Sequence, residues 1–457
     1  MSDRSALIDL RKKILQSQKL IDIYEWLIGS YVLDFYVDNH WDRLPLCWRS
    51  CFERVDIQEL RALLTADSNT EQHTLWPLSI LALRVLLQRL CLSRASHQQP
   101  DIEFGTEQQH SAFCNHKKLF DKSVKLKKRH EIEKFCNECW LTGQSADVKH
   151  LVDVGSGQGN LARSLNYGYG FMVCCIEQNE QLVEAARLKD EELSCRLKKQ
   201  FKIESLHHPV HLSRKENLEI IDPCQFAQMI RDSFNVEKGT PFRFGLIGLH
   251  PCGDLAVVLL KLFLACPEAK FIKIVCCCYM KLSTKDDETE SYGFPLSDFS
   301  NKHNLRLSYE SREIACHAIE QYGHKLQTGY DELKVHAYRA AVEKIIVKLY
   351  PHLKHFGLKS TKVSNMCFQE YCDRATSGLQ IELPQTETQS DDTRFNLSCW
   401  ERVVKFYTLR LMFAPLIESL ILYDRWLYLL EQGISSKIEA VFDPICSPRN
   451  HALTGWK

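Results

Sequence analysis

Residues Leu151–Ala162 read LVDVGSGQGNLA, and the fold follows from how these positions must be arranged. Leu151, Val152 and Val154 form a short apolar strand, glycines at 155, 157 and 159 a turn, and Asn160 the start of a helix. A ligand crossing the carboxyl end of a parallel strand needs backbone without Cβ atoms beneath it, which glycine supplies. The helix start presents free N–H groups to the same place. The next apolar stretch, Phe171–Ile176, ends at Glu177, 22 positions after Gly155. A carboxylate there accepts hydrogen bonds from both ribose hydroxyls of an adenosine-type cofactor.

Two cofactors satisfy this pattern. Gly157–Ala162 also matches the dinucleotide form G-x-G-x-x-A. Asp153 separates them, because it stands near the strand end where a dinucleotide-binding strand is apolar. There its carboxylate can meet the ammonium of a methionine moiety. The expected ligand is S-adenosylmethionine, held by Asp153, Gly155, Ser156, Gly157, Gly159 and Glu177. A nicotinamide cofactor and a purely structural turn are the alternatives.

Outward from the turn, apolar strands at Phe244–Leu249 and Phe271–Cys277 alternate with helices at Arg187–Lys202 and Leu255–Cys266. This alternation predicts an α/β, Rossmann-like sheet with helices on both faces. No strand is legible between Phe201 and Asp222. Lys437–Phe442 and His451–Trp456 predict a hairpin that returns to the sheet. Helices are expected over Leu20–Tyr36, after a capping Asp56, and from Pro77 to Leu92. More follow over Arg312–Leu349 and Trp400–Leu430, around a polar linker at Pro384–Asn396. The expected division is an N-terminal helical domain (1–105), a Rossmann-like methyltransferase domain (106–300), a helical insertion (301–430) and a closing hairpin (431–457).

With 58 basic and 58 acidic residues the chain carries no net charge, so any contact with nucleic acid must be a local patch. A basic run from Lys117 to Lys134 and the group Arg196, Lys198, Lys199 and Lys202 are the candidates. The 20 cysteines include apolar runs such as Cys174–Cys175 and Cys276–Cys278, and the amino terminus lacks a signal-peptide core. The expected compartment is the cytoplasm or nucleus. Leu409–Leu430 is apolar but carries Arg410, Glu418, Asp424 and Arg425, which predicts a buried helix and no membrane span. Cys136 and Cys139 lie near His110, Cys114, His116 and His130, but the second pair of a zinc module is missing and no metal is expected.

Ligands of open parallel sheets lie beyond the strand carboxyl ends. His250 and Tyr279 stand at two such ends and are the catalytic candidates. Asp254 is open to acid–base or hydrogen-bond work or to capping the following helix, while Cys276 and Cys277 read as core. Arg449, in the turn before the last strand, is a candidate for a substrate phosphate or carboxylate.

Together these segments resemble the eukaryotic methyltransferase-like twenty-five family, some of whose members carry the label ribosomal RNA adenine dimethylase domain-containing. The matching pieces are Lys127–Glu131, Asp153–Gly159, His250–Leu255, Cys277–Leu282, Gly293–Ser297, Arg312–His317, Phe442–Pro444 and Ser447–Asn450. The resemblance implies a Rossmann-like fold and S-adenosylmethionine, and it adds His130 and Glu131 as substrate-site candidates. Adenine N6-dimethylases carry an Asn-Pro-(Tyr/Phe) motif after the fourth strand, where this chain has His250–Gly253, which argues against that reaction. The same turn with the later cysteines resembles a tRNA ribose-methylating family. The expected function is methyl transfer to a macromolecule, RNA ahead of protein, with a noncatalytic binding module as the other reading.

Overall fold

The computed structural model describes residues 2–65, 74–96, 124–201, 207–214, 218, 221–287, 292–363 and 366–457. Seven strands form one sheet in the order β3-β2-β1-β4-β5-β7-β6. They are β1 (His150–Val154), β2 (Met172–Glu177), β3 (Val210–Ser213), β4 (Phe244–Cys252), β5 (Ala269–Cys277), β6 (Ser435–Ala440) and β7 (His451–Trp456). The first five run parallel, and β7 is antiparallel to both β5 and β6. Strand order reverses between β1 and β4, and that switch point opens a crevice at the strand carboxyl ends. This is the Rossmann-like α/β arrangement that the alternating strands and helices predict.

The strand the sequence left unplaced is β3, a four-residue edge strand whose one buried side chain is His211, between half-buried Val210 and Leu212. A histidine in a short run gives no alternating apolar signal. The boundary expected at 105/106 lies outside the described residues, as do Lys117, Lys118 and Lys122 of the basic run.

The chain divides into two compact units. The sheet unit comprises Met1–Ile14, Ser93–Arg306 and Ile421–Lys457. Its core packs the helix Leu126–Ser145 on β1, β2, β4 and β5 through Phe135, Cys136, Cys139, Leu151, Val173, Ile247 and Phe271. Two buried ion pairs sit inside this unit. Lys273 of β5 is 1% exposed and lies 2.6 Å from Glu138. Arg163 contacts Asp190 at 2.8 Å, and His211 contacts the other oxygen of that carboxylate at 2.6 Å.

The other unit, Leu15–Leu92 with Leu307–Leu420, is helical, so the amino-terminal helices and the insertion share one core. The expected helix Leu20–Tyr36 is instead the end of Ser2–Ile23, a short Glu25–Ile28 and a turn at Val32–Asp34. The linker expected at Pro384–Asn396 holds short helices, Gln385–Thr388 and Asp391–Ser398, the second capped by Ser390. Local capping chemistry overrides polar composition there. Trp400–Glu431 is long and apolar enough to cross a membrane, but 94% of its most apolar window is buried within the protein.

Candidate active site

The glycine turn lies at the end of β1. Gly155, Gly157 and Gly159 have φ of 74°, 57° and 69°, a region that L side chains rarely adopt. Gly159 caps the helix Asn160–Arg163, and a Cβ on it would fall 2.8 Å from the ring of His211. The turn is therefore braced from β3 by the Asp190-bound histidine, a relationship with no sequence signature.

Glu177 accepts the Gly157 N–H at 2.9 Å and the Asn179 N–H at 3.0 Å. One carboxylate thus fixes the middle of the turn and the start of the following loop. Asp153 is 2% exposed, and its Oδ2 has no hydrogen-bond partner among the described residues. Burial pushes its carboxyl up to about 7; Lys128 draws it down and Glu177 adds to the rise. A buried carboxylate with a vacant acceptor is costly by itself and suits an incoming cation.

The second part of the site gathers around Glu131, on the helix Leu126–Ser145. Its carboxylate is 2% exposed, lies 3.0 Å from Nε2 of His250 and accepts the Ser447 hydroxyl at 2.7 Å. Burial would raise its pKa, but the His250 and Ser447 contacts and the charge of Lys128 outweigh that and hold it at about 2. His130 accepts the backbone N–H of Asp443 at 3.1 Å. Because β6 runs parallel to β5, the loop after β6 lies at the same end of the sheet as the β4 and β5 termini. Three segments far apart in sequence thus meet at one carboxylate. Ser447 was not a sequence candidate, since a lone serine in a turn signals nothing.

His250 has φ of 71°, strained for a non-glycine residue, and its side chain is 22% exposed. Tyr279, expected to face the transfer site, is only 1% exposed, and its hydroxyl donates to Cys276 O at 3.4 Å. The guanidinium groups of Arg449 and Arg425 lie 5.8 and 6.0 Å from its ring centre. Arg449 is 9% exposed, so both candidates are packed inward. Asp254 stands at the N-cap of the helix Leu255–Ala265, but its side chain makes no cap hydrogen bond among the described residues. It accepts the Ser283 N–H at 3.0 Å and so ties the two strand-end loops together. Cys136 and Cys139 are fully buried core residues, and His110, Cys114 and His116 lie outside the described residues.

Residues 127–285 match the family described as Methyltransferase domain. The chain is 31% identical to human "Probable methyltransferase-like protein 25" over 226 residues, which is 46% of this chain and 36% of that protein. The mouse protein of the same name is 32% identical over 228 residues, 46% of this chain and 37% of that one. Among solved structures, magnesium protoporphyrin IX methyltransferase from Synechocystis PCC 6803, with bound SAH, is similar at 12% identity and a TM-score of 0.23, over 36% of this chain and 67% of that one. A score of that size adds nothing to the strand order, which carries the fold. Strand order and glycine turn define a Rossmann-like α/β fold, and its central stretch matches a methyltransferase domain. The matched stretch spans little more than a third of the length of these relatives.

Proposed function

We propose that the chain transfers a methyl group from S-adenosylmethionine to a macromolecule, RNA ahead of protein. The observation that carries this reading is the vacant buried oxygen of Asp153 beneath the open glycine turn. Its carboxylate suits the amino-acid ammonium of the donor, directly or through water. Glu177 suits the ribose hydroxyls while it holds Gly157. The bound donor supplies an already reactive sulfonium methyl, so the protein mainly orients the acceptor and takes its proton.

The Glu131–His250 pair fits that second task. With Nε2–H donating to Glu131, Nδ1 of His250 is left as the proton acceptor. Ser447 holds the same carboxylate, which keeps the imidazole in one orientation. Lys125, Lys127 and Arg196 are basic groups on the surface of the sheet unit and favour a polyanionic substrate.

Calorimetry with S-adenosylhomocysteine tests the cofactor. Absence of binding would leave the noncatalytic-module reading. Incubation with labelled methyl donor and a lysate from cells lacking the protein tests the substrate, through nuclease or protease sensitivity of the label. Label removed by protease alone overturns the preference for RNA.

A further inference from the structure

At the carboxyl ends of β4 and β5 three cysteine sulfurs converge. Cys252 Sγ lies 3.4 Å from Cys277 Sγ and 3.2 Å from Cys278 Sγ, and the last two are 3.6 Å apart. All three cysteines are unbridged. We infer that these sulfurs form a binding site for a thiophilic divalent cation, zinc in first place, with a fourth coordination position left to water or a substrate atom. The inference stands on this cluster alone and does not depend on the methyl-donor reading.

The backbone is shaped to bring the sulfurs together. Cys252 and Cys277 are register partners across β4 and β5, after a register shift between Leu249 and Cys252. His250, Gly253 and Cys278 all take left-handed backbone, at φ of 71°, 55° and 51°. A Cβ on residue 253 would lie 2.7 Å from the Lys281 carbonyl, so only glycine lets the two strand-end loops approach this closely. Two non-glycine residues held in that region beside one cluster mark a place where local strain serves a purpose. The His250 carbonyl faces the Cys252 thiol at 3.5 Å and the Cys277 thiol at 3.3 Å, which holds both sulfurs on one side.

The distances suit a metal better than a disulfide. A sulfur–sulfur bond is about 2.05 Å long, far inside every separation here. Zinc–sulfur bonds of about 2.3 Å at tetrahedral angles put sulfurs roughly 3.8 Å apart, so each thiol has to move by only a few tenths of an ångström. Three protein ligands with one open position is the arrangement of reactive rather than purely structural zinc. Cys252 is exposed and Cys278 partly so, which gives the ion a way in, while Cys277 forms the buried floor. Binding converts the three thiols to thiolates and releases their protons to solvent. The other cluster of at least three candidate ligands among the described residues, Asp34, Glu343 and His355, offers no sulfur and lies in the helical unit.

The test uses the full chain, purified from zinc-supplemented medium and desalted without chelator. Zinc per chain is measured by elemental analysis for wild type and for C252S, C278S and the double variant, with circular dichroism reporting fold. About one zinc per wild-type chain is expected, and background content in the double variant. Cobalt replacing zinc in the wild type is expected to give a thiolate-to-metal charge-transfer band, a readout that needs no variant to fold. Wild type without bound zinc, equal zinc in the folded double variant, or cobalt without the thiolate band each overturns the site.

Discussion

Glu131 Oε1 and His250 Nε2 are 3.0 Å apart, joining the helix before β1 to the end of β4 across 119 positions of sequence. Ser447, from the loop between β6 and β7, donates to the same carboxylate oxygen. Glu131 was a candidate only through the resemblance to the methyltransferase-like twenty-five family, and Ser447 had no evident chemistry in the sequence alone.

Replacing Glu131 tests the pair. With the proposed division of labour, E131Q leaves donor affinity unchanged and lowers kcat, roughly tenfold or more, while H250A costs about 10²–10⁴. E131D should recover part of the loss if the carboxylate positions the imidazole. Glu131 also makes a stability prediction. Its folded pKa of about 2 lies below the ordinary value of 4.5, so its contribution is present above about 4.5 and lost as pH falls toward 2. The difference in unfolding midpoint between wild type and E131Q should therefore narrow steadily on acidification. A difference independent of pH sinks the ionic account.

Asp153 predicts the opposite pH behaviour. Its carboxyl is raised to about 7, so the empty folded state holds a proton that the unfolded chain loses near 3.8. The stability this group contributes is full below 3.8 and disappears as pH rises through about 7. A cationic ligand selects the ionised form, so binding of S-adenosylmethionine below about pH 7 should release up to about one proton and strengthen as pH rises. Calorimetry in buffers of different ionisation enthalpy reads the proton directly. Identical heats in both buffers, or D153N retaining the pH dependence, would place the donor's ammonium elsewhere.

How much of this was legible depended on the range of each interaction. The turn at 155–159, the strand that ends in Glu177 and the closing hairpin are local patterns of glycine, carboxylate and apolar alternation, so the sequence displays them. Gly159 beside His211, Ser447 on Glu131 and the three sulfurs at 252, 277 and 278 are created by strand order, which brings distant positions together. Tyr279 shows a limit of another kind. Its place at a strand end suggested that it borders the site, and the turn at Cys278 sets its ring beside two arginines. Position along a strand does not determine which way the following turn points.

Asp190 should be among the costliest single positions in the sheet unit. Its two oxygens bind Arg163 and His211, all three side chains are at most 6% exposed, and His211 abuts Gly159. D190A leaves a guanidinium buried without its counter-charge, for an expected loss of about 3–5 kcal/mol. Denaturant unfolding measures this, and it should be accompanied by weaker donor binding as the brace behind the glycine turn loosens. A loss below about 1 kcal/mol would mean that Arg163 finds water or another acceptor at little cost.

Arg425 predicts a substitution that costs nothing. It is 1% exposed, and among the described residues none of its three guanidinium nitrogens has a hydrogen-bond partner. The ring of Tyr279 at 6.0 Å offers it a cation–π contact. Such a contact contributes about 2 kcal/mol when desolvated, against several kcal/mol for burying the charge. The neighbouring Asp424 is committed elsewhere, accepting from Leu296 N, Ser297 N and the Ser297 hydroxyl at 2.6, 3.0 and 2.7 Å. R425M keeps most of the volume and removes the charge, so its unfolding free energy should equal or exceed that of wild type. A loss greater than about 2 kcal/mol would instead require a partner for the guanidinium. Phosphate that raises the melting temperature of wild type but not of R425M would identify that partner as an anion.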